Sequence, residues 1–300
     1  EAQEAHAGPL GFHLGMTALT LWPGVALLGL GLLAAWRFRD RDEVKFLIAW
    51  IVPTYVVFEI VATKLPHYTL PSFPAVALLI GLALRELPAL LTGRGAQALH
   101  WTFAVIAALV GLILSLAPVV ANIELDQPQT FAAYLTVAFG VIAAAAIFAV
   151  AARPTLDRVF ATGAAAAALY ACAFAGAIPA MDRLFTSDRL GQAVASLEGC
   201  AQIHAVMGGY REPSLAFNLG TDTWLAYDGA DAARNFLQHP RCGVAIIDAS
   251  WENEFRDQIA AAGASLRTLG GYEGYNAVKG DELSLTFFTL ERSDVTAPRG

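Results

Sequence analysis

The chain has 300 residues, of which 56% are hydrophobic and only 15% charged, well below the about 25% charged of an ordinary soluble domain. The formal net charge is −7, and no basic stripe is present to neutralise phosphates, which excludes nucleic acid as a partner. The apolar residues are unevenly placed: residues 16–181 hold almost all the long uncharged runs, and residues 182–300 read like a water-soluble protein. The expected fold is therefore an α-helical polytopic membrane domain followed by a small periplasmic α/β domain. The expected divisions are an outer segment 1–15, a transmembrane domain 16–181 and a soluble domain 182–300. The chain starts at Glu1 rather than Met and shows no basic n-region before a short apolar stretch, so no signal peptide is visible. Either one has been removed or, as we expect, this is the back part of a longer protein.

In the outer segment, Glu4 and His6 place a carboxylate and an imidazole two positions apart. With help from elsewhere they can bind a divalent metal, but two ligands do not complete a site, and a solvated loop is the competing reading. A spanning helix needs ~20 mostly apolar residues. Six stretches qualify as spans, at about 16–36, 46–62, 70–91, 100–121, 130–152 and 158–181. The first contains Trp22-Pro23-Gly24, read as structural: an interfacial Trp with a Pro-Gly pair that relaxes the helix. The second is short, and Pro53 and Glu59 within it predict a kinked helix that faces protein or a cavity.

Between the second and third spans lies Thr63 to Pro74, with Lys64, His67 and Tyr68 within five positions and prolines at 66, 71 and 74. The three polar side chains suit the grip of an anionic headgroup at the bilayer surface, Lys as a point charge and Tyr as a hydroxyl donor. The competing reading is a plain interfacial anchor, with Lys snorkelling and Tyr in the aromatic belt. The prolines remove backbone donors and resist regular helix, so a fixed, irregular segment is expected. An anchor does not need them.

The later spans carry small-residue runs, Ala143–Ala146 and Gly163–Ala168, which let helix backbones approach closely. Among the loops, one set carries Arg37, Arg39, Arg41, Lys45, Arg85, Arg94, Arg153 and Arg158, and the other only Lys64. That asymmetry places the basic set in the cytoplasm, and the 63–74 segment and the C-terminal domain outside. Acidic residues are nearly absent from the spans apart from Glu59 and Glu86, which disfavours a proton-relay pump.

In the tail, Ile203–Met207, Val244–Asp248, Leu266–Leu269 and Leu283–Leu290 read as strands, and 212–219, 229–239 and 251–262 as helices. The alternation predicts a partly parallel sheet. Asp248 ends a strand, where α/β domains often hold ligands, although a helix cap is the stronger reading. Cys172 falls inside the sixth span. Cys200 and Cys242 both precede strands, and neighbouring parallel strands can bring them together in an oxidising compartment, but the pair alone leaves the disulfide open. No phosphate loop, nucleophile elbow or zinc-protease motif is present.

Taken together, these residues resemble the C-terminal half of the GT-C class of polyprenyl-phosphate-dependent glycosyltransferases. The nearest likeness is to the bacterial lipid A aminoarabinose transferases, related to the protein O-mannosyltransferases. The matching residues are Lys64-Leu-Pro-His-Tyr-Thr-Leu-Pro-Ser-Phe-Pro, Glu4-x-His6-x-Gly-Pro, Leu21-Trp22-Pro23-Gly24, Tyr210-Arg-Glu-Pro-Ser-Leu-Ala-Phe and Gly274-Tyr-Asn. Their order and membrane orientation also match, over essentially the whole chain. The resemblance implies transfer of a sugar from a polyprenyl-phosphate donor, on the periplasmic side of the bacterial inner membrane, to an envelope acceptor. Lipid A, a protein hydroxyl and another glycan are the acceptor classes. It further implies that Lys64 and Tyr68, with His67 beside them, contact the carrier phosphate. Glu4 and His6 fall in a segment that can line a metal site in relatives, so a divalent metal is a possible cofactor. The family's catalytic carboxylate lies in a first outer loop that nothing here matches, so the chain is expected to be inactive alone. Membrane lipids are the remaining expected partners. A transporter or flippase of lipid-linked sugars would instead show paired broken helices, and no internal repeat is found. A non-catalytic membrane-anchored recognition module would not require the proline-punctuated segment.

Overall fold

The structure, a computed structural model, describes residues 8–276 and 279–297. The chain divides after Ala180 into two compact units.

The first unit is helical. It contains α1 (Phe12–Thr20), α2 (Leu28–Arg37), α3 (Asp42–Ile60), α4 (Phe73–Arg85), the short α5 (Leu87–Leu90), α6 (Arg94–Glu124), α7 (Phe131–Ala152) and α8 (Leu156–Cys172). Four helical stretches of the described residues are long and apolar enough to cross a membrane: Pro66–Arg85, Arg94–Glu124, Phe131–Ala152 and Leu156–Ala177. The expected count of six thus becomes four, or five with one bent pair, and the two differences have physical causes. The first expected span, 16–36, is not one rod: Phe12–Thr20 and Gly24–Arg37 meet at 110°. The second, α3, runs unbroken through Pro53, and Asp42, Glu43 and Lys45 at its start together with Glu59 near its end keep it out of that count by composition.

Trp22 sits at the bend, and its position corrects the interfacial reading. It is buried at 5% exposure, and its indole N–H donates to the Ala107 carbonyl at 2.9 Å. Room for the ring comes from Gly111, where a Cβ would lie 2.8 Å from Trp22 Cζ2. A buried indole needs a partner for its N–H, and a bent chain inside a bundle supplies one. Around Trp22, small residues of α6, α7 and α8 form the core: Ala104, Ala107, Ala108, Ala143, Ala144, Ala165 and Ala166. On α8 the buried positions Thr162, Ala165, Ala166 and Leu169 fall at helical spacing, so the alanine run packs one face inward. Gly140 of α7 approaches α6 so closely that a Cβ there would lie 2.2 Å from Ser115 Cβ.

The second unit is an α/β layer structure. It comprises α9 (Thr186–Ala195), β1 (His204–Gly208), α10 (Pro213–Leu219), β2 (Trp224–Leu225), α11 (Gly229–Phe236), β3 (Gly243–Asp248), α12 (Ala249–Ala261), β4 (Leu266–Asn276) and β5 (Asp281–Leu290). The sheet order is β2-β1-β3-β5-β4; β1 pairs parallel with β2 and β3, whereas β3–β5 and β5–β4 are antiparallel. Strand alternation splits the core into two. Val244 and Ile246 pack with Met207, Leu190 and Leu215 on the α9/α10 side. Ala245 and Ile247 pack with Phe236, Phe255 and Phe288 on the α11/α12 side. β3 is therefore buried on both faces, which explains its unbroken apolar run. Its neighbour β1 brings Cys200 to Cys242, with Cα atoms 5.8 Å apart in a disulfide. Asp248 caps α12, its Oδ1 accepting from the Ser250 amide at 3.0 Å.

Candidate functional site

The 63–74 segment is more regular than expected. Pro66–Ser72 forms a 3₁₀ helix that leads into α4. Pro66 and Pro74 occupy first-turn positions, where a missing N–H costs nothing. Pro71 lies inside the 3₁₀ stretch, where it removes one helical donor.

Lys64 does not reach outward. It is buried at 7% exposure, and its ammonium donates to the carbonyls of Phe58 (3.0 Å) and Glu59 (2.6 Å). Glu59 Oε2 lies 3.7 Å from the same nitrogen. The Glu59 carboxylate in turn receives the backbone N–H groups of Gly11 (2.8 Å), His13 (2.8 Å) and Leu14 (3.3 Å). It thereby satisfies donors of the first turn of α1 that have no intrahelical acceptor, and its negative charge faces the positive end of that helix. His13 is fully buried, its Nε2 3.2 Å from the Leu65 carbonyl oxygen and its Nδ1 3.8 Å from Glu59 Oε1. Gly8 packs on the Lys64 stem, where a Cβ would come within 2.7 Å of Lys64 Cγ. The structure therefore brings the two stretches singled out in the sequence, the N-terminal segment and the 63–74 segment, onto one carboxylate.

Around this core the rings form a lid-like stack. Tyr68 lies 4.8 Å from Phe58 and 6.2 Å from His13, centroid to centroid, and His67 meets Tyr68 edge-on at 5.2 Å. His67 is exposed and Tyr68 partly buried. Glu4 and His6 lie outside the described residues. Among the described residues, no group of three or more His, Cys, Asp or Glu side chains is arranged to hold a metal ion.

Beside the cluster opens a cavity of about 820 Å³. Its walls are apolar, with Leu14, Val25, Leu28, Ile51, Val76 and Phe103 among them; the polar groups it meets include Thr17, Tyr55 and Glu59. Thr17 Oγ1 and the Tyr55 hydroxyl share a hydrogen bond of 2.7 Å. The helix expected to be kinked and to face protein or a cavity, α3, lines a cavity at Glu59 but runs unbroken through Pro53. What the sequence did not reveal is the role of Glu59 as the anchor of the site. The available signal was a lone carboxylate near the end of an apolar helix, five positions before the only lysine of its loop set. Asp248 belongs to the helix cap described above.

No protein-family model matches the chain. Among curated proteins it is 33% identical over 121 residues to the undecaprenyl phosphate-alpha-4-amino-4-deoxy-L-arabinose arabinosyl transferase of Serratia proteamaculans, covering 40% of this chain and 21% of that protein. The protein of the same name from Yersinia enterocolitica is 33% identical over 81 residues, covering 27% of this chain and 15% of that one. Among solved structures, ArnT from Cupriavidus metallidurans in the apo state superposes with a TM-score of 0.55 at 18% identity, over 95% of this chain and 53% of that one. The chain thus spans about half of the solved ArnT chain and shares its fold. The resemblance to the GT-C lipid A aminoarabinose transferases holds as a partial homology. With its several apolar helices, the chain is that of a multi-pass membrane protein.

Proposed function

We propose that this chain is the C-terminal part of an integral-membrane glycosyltransferase that moves a sugar from a polyprenyl-phosphate donor to an envelope acceptor such as lipid A. The observation that carries this reading is one large apolar cavity lined by Glu59, whose carboxylate has the buried cation Lys64 beside it. A polyprenyl chain is long and purely hydrocarbon, and the cavity offers it a dry wall. Its phosphate needs a positive charge near the cavity's polar groups, and Lys64 lies 3.7 Å from Glu59, which lines the cavity.

In this reading Lys64, Tyr68 and His67 contact the carrier phosphate. A glycosyl phosphate leaves readily once its developing negative charge is stabilised, and an ammonium with a phenol hydroxyl in a partly dry site supplies that. Lys64 must turn from the Phe58 and Glu59 carbonyls and loosen its pairing with the Glu59 carboxylate to reach the phosphate, a charged acceptor in their place. The base that deprotonates the acceptor hydroxyl lies elsewhere in the longer protein. The loop charges support a periplasmic side for the 63–74 segment and the C-terminal unit.

The test is sugar transfer by the full-length protein in nanodiscs with a panel of polyprenyl-phosphate sugars. Lys64→Ala should lower turnover by about 10²–10³-fold, the loss typical of one stabilising donor. Turnover within threefold of the parent protein would remove Lys64 from phosphate binding.

A further inference from the structure

Two stretches that carry the family resemblance, 210–217 and 274–276, have no part in the site above. The C-terminal unit brings them together around a pocket of about 160 Å³ lined by residues that include Thr186, Ser187, Tyr210, Glu212, Ser214 and Tyr275. We propose that this pocket binds a single sugar ring, neutral or bearing an amino group.

The pocket is built, not incidental. Gly274 lets β4 close on the start of α9: a Cβ there would lie 2.7 Å from Thr186 Oγ1 and 2.5 Å from Tyr272 Cε1. Thr186 Oγ1 donates to the Tyr275 carbonyl at 3.0 Å and accepts from its amide at 3.2 Å, which fixes Tyr275 at the rim. The Ser187 and Tyr210 hydroxyls lie 3.1 Å apart, and Ser214 Oγ donates to Ser187 Oγ at 2.8 Å. Three hydroxyls from α9, the turn after β1 and α10 thus form one chain. Ser187 and Tyr210 are both buried. Burial also raises the Tyr210 phenol above its ordinary value, so it remains a neutral donor and acceptor.

The lining chooses the ligand class. Hydroxyls both donate and accept, which matches the hydroxyls of a sugar better than a purely accepting phosphate. Asp188 and Glu212 contribute carboxylates, and no Lys or Arg lines the pocket. Among the described residues none hydrogen-bonds to or pairs with the Glu212 carboxylate, so it is available to a hydroxyl or an ammonium. Phosphorylated and carboxylated sugars are repelled. Phe185 and Tyr275 add ring faces for the C–H side of a pyranose. Drug-sized ligands fill pockets of roughly 300–1,000 Å³; this one admits a single ring.

The site is independent of the transfer reaction, and its test needs no lipid donor. The full chain, in a detergent without a sugar headgroup, is titrated with D-glucosamine, D-glucose and glucose 6-phosphate by saturation-transfer NMR. Saturable signals are expected from the first two and not from the third. Glu212→Gln should weaken glucosamine by about tenfold, the loss of one charged hydrogen bond, and glucose by less. Ser214→Phe, which fills the pocket, should abolish both signals with the melting temperature unchanged. If that variant fails to fold, Glu212→Gln decides. Absence of a saturable signal from either sugar, equal binding of glucose 6-phosphate, or Glu212→Gln titrating like the parent would each overturn the proposal.

Discussion

The two cavities differ in every respect that matters for recognition. The one in the membrane unit is about 820 Å³ and nearly all hydrocarbon, with Glu59 the charged residue in its lining. The one in the C-terminal unit is about 160 Å³, and hydroxyls and carboxylates form part of its lining beside Leu184 and Phe185. Apolar area recognises length and excludes water but barely distinguishes one hydrocarbon from another. A ring of fixed hydroxyls recognises shape and discriminates strongly, because an unmatched buried polar group is costly. At the membrane cavity the Glu59 carboxylate is held by Lys64 and by backbone amides, whereas among the described residues none pairs with the Glu212 carboxylate of the smaller pocket.

Four perturbations break or sharpen that contrast, in falling order of effect. Glu59→Ala removes the carboxylate that holds both Lys64 and the first turn of α1, and breaking such a buried pair costs about 3–5 kcal/mol. The melting temperature of the purified chain should fall accordingly, with a smaller fall for Glu59→Gln, whose amide oxygen still accepts an N–H. Equal melting of Glu59→Ala and the parent would mean that Lys64 is content with its two carbonyls. Next, Cys200→Ser with Cys242→Ser opens a loop of 42 residues, worth about 4 kcal/mol on the chain-entropy account. Hydrogen exchange should then quicken in β1 and β3, and unchanged protection there would assign the strands' stability to packing alone. Third, Gly140→Ala presses a methyl group into Ser115; overpacking of this kind costs about 1–3 kcal/mol and should be visible as a lower melting temperature.

The smallest effect is on pH dependence. His239 stacks on His204 at 4.0 Å, and burial, then the charge of its neighbour, lowers its proton affinity below the ordinary 6.5. The unfolded chain therefore binds the proton more tightly than the folded one. Stability should hold level above pH 6.5 and decline as the pH falls through that value toward the lower native one. His239→Asn should flatten the decline in urea melts at pH 7.5 and 5.5; an unchanged slope would assign it to other groups.

What was readable in the sequence was local. The strand at Val244–Asp248, the cap at Asp248 and the small-residue runs that pack in α7 and α8 follow from patterns within a few residues. Cysteine pairing was readable only as a geometry, since it needed β1 and β3 to be neighbours. What escaped was set by distant partners. Lys64 turns inward because Glu59 and two carbonyls await it, and Glu59 is held by amides 45 to 48 positions away. The bend at Trp22 depends on a carbonyl 85 positions on. Lys64 as an outward-facing cation was the natural reading of a loop, and no local pattern reveals a partner at that range.

The length of α6 carries a last consequence. Its 31 residues rise about 46 Å at 1.5 Å per residue, against a hydrocarbon layer of about 30 Å. To fit entirely within that layer it would have to lean by about 50°, beyond the 0–40° that spanning helices show. Part of the helix must therefore stand clear of the oil, with Arg94 at one end and Glu124 at the other among the headgroups. A bilayer made thinner or thicker would slide along this rod before it strained it.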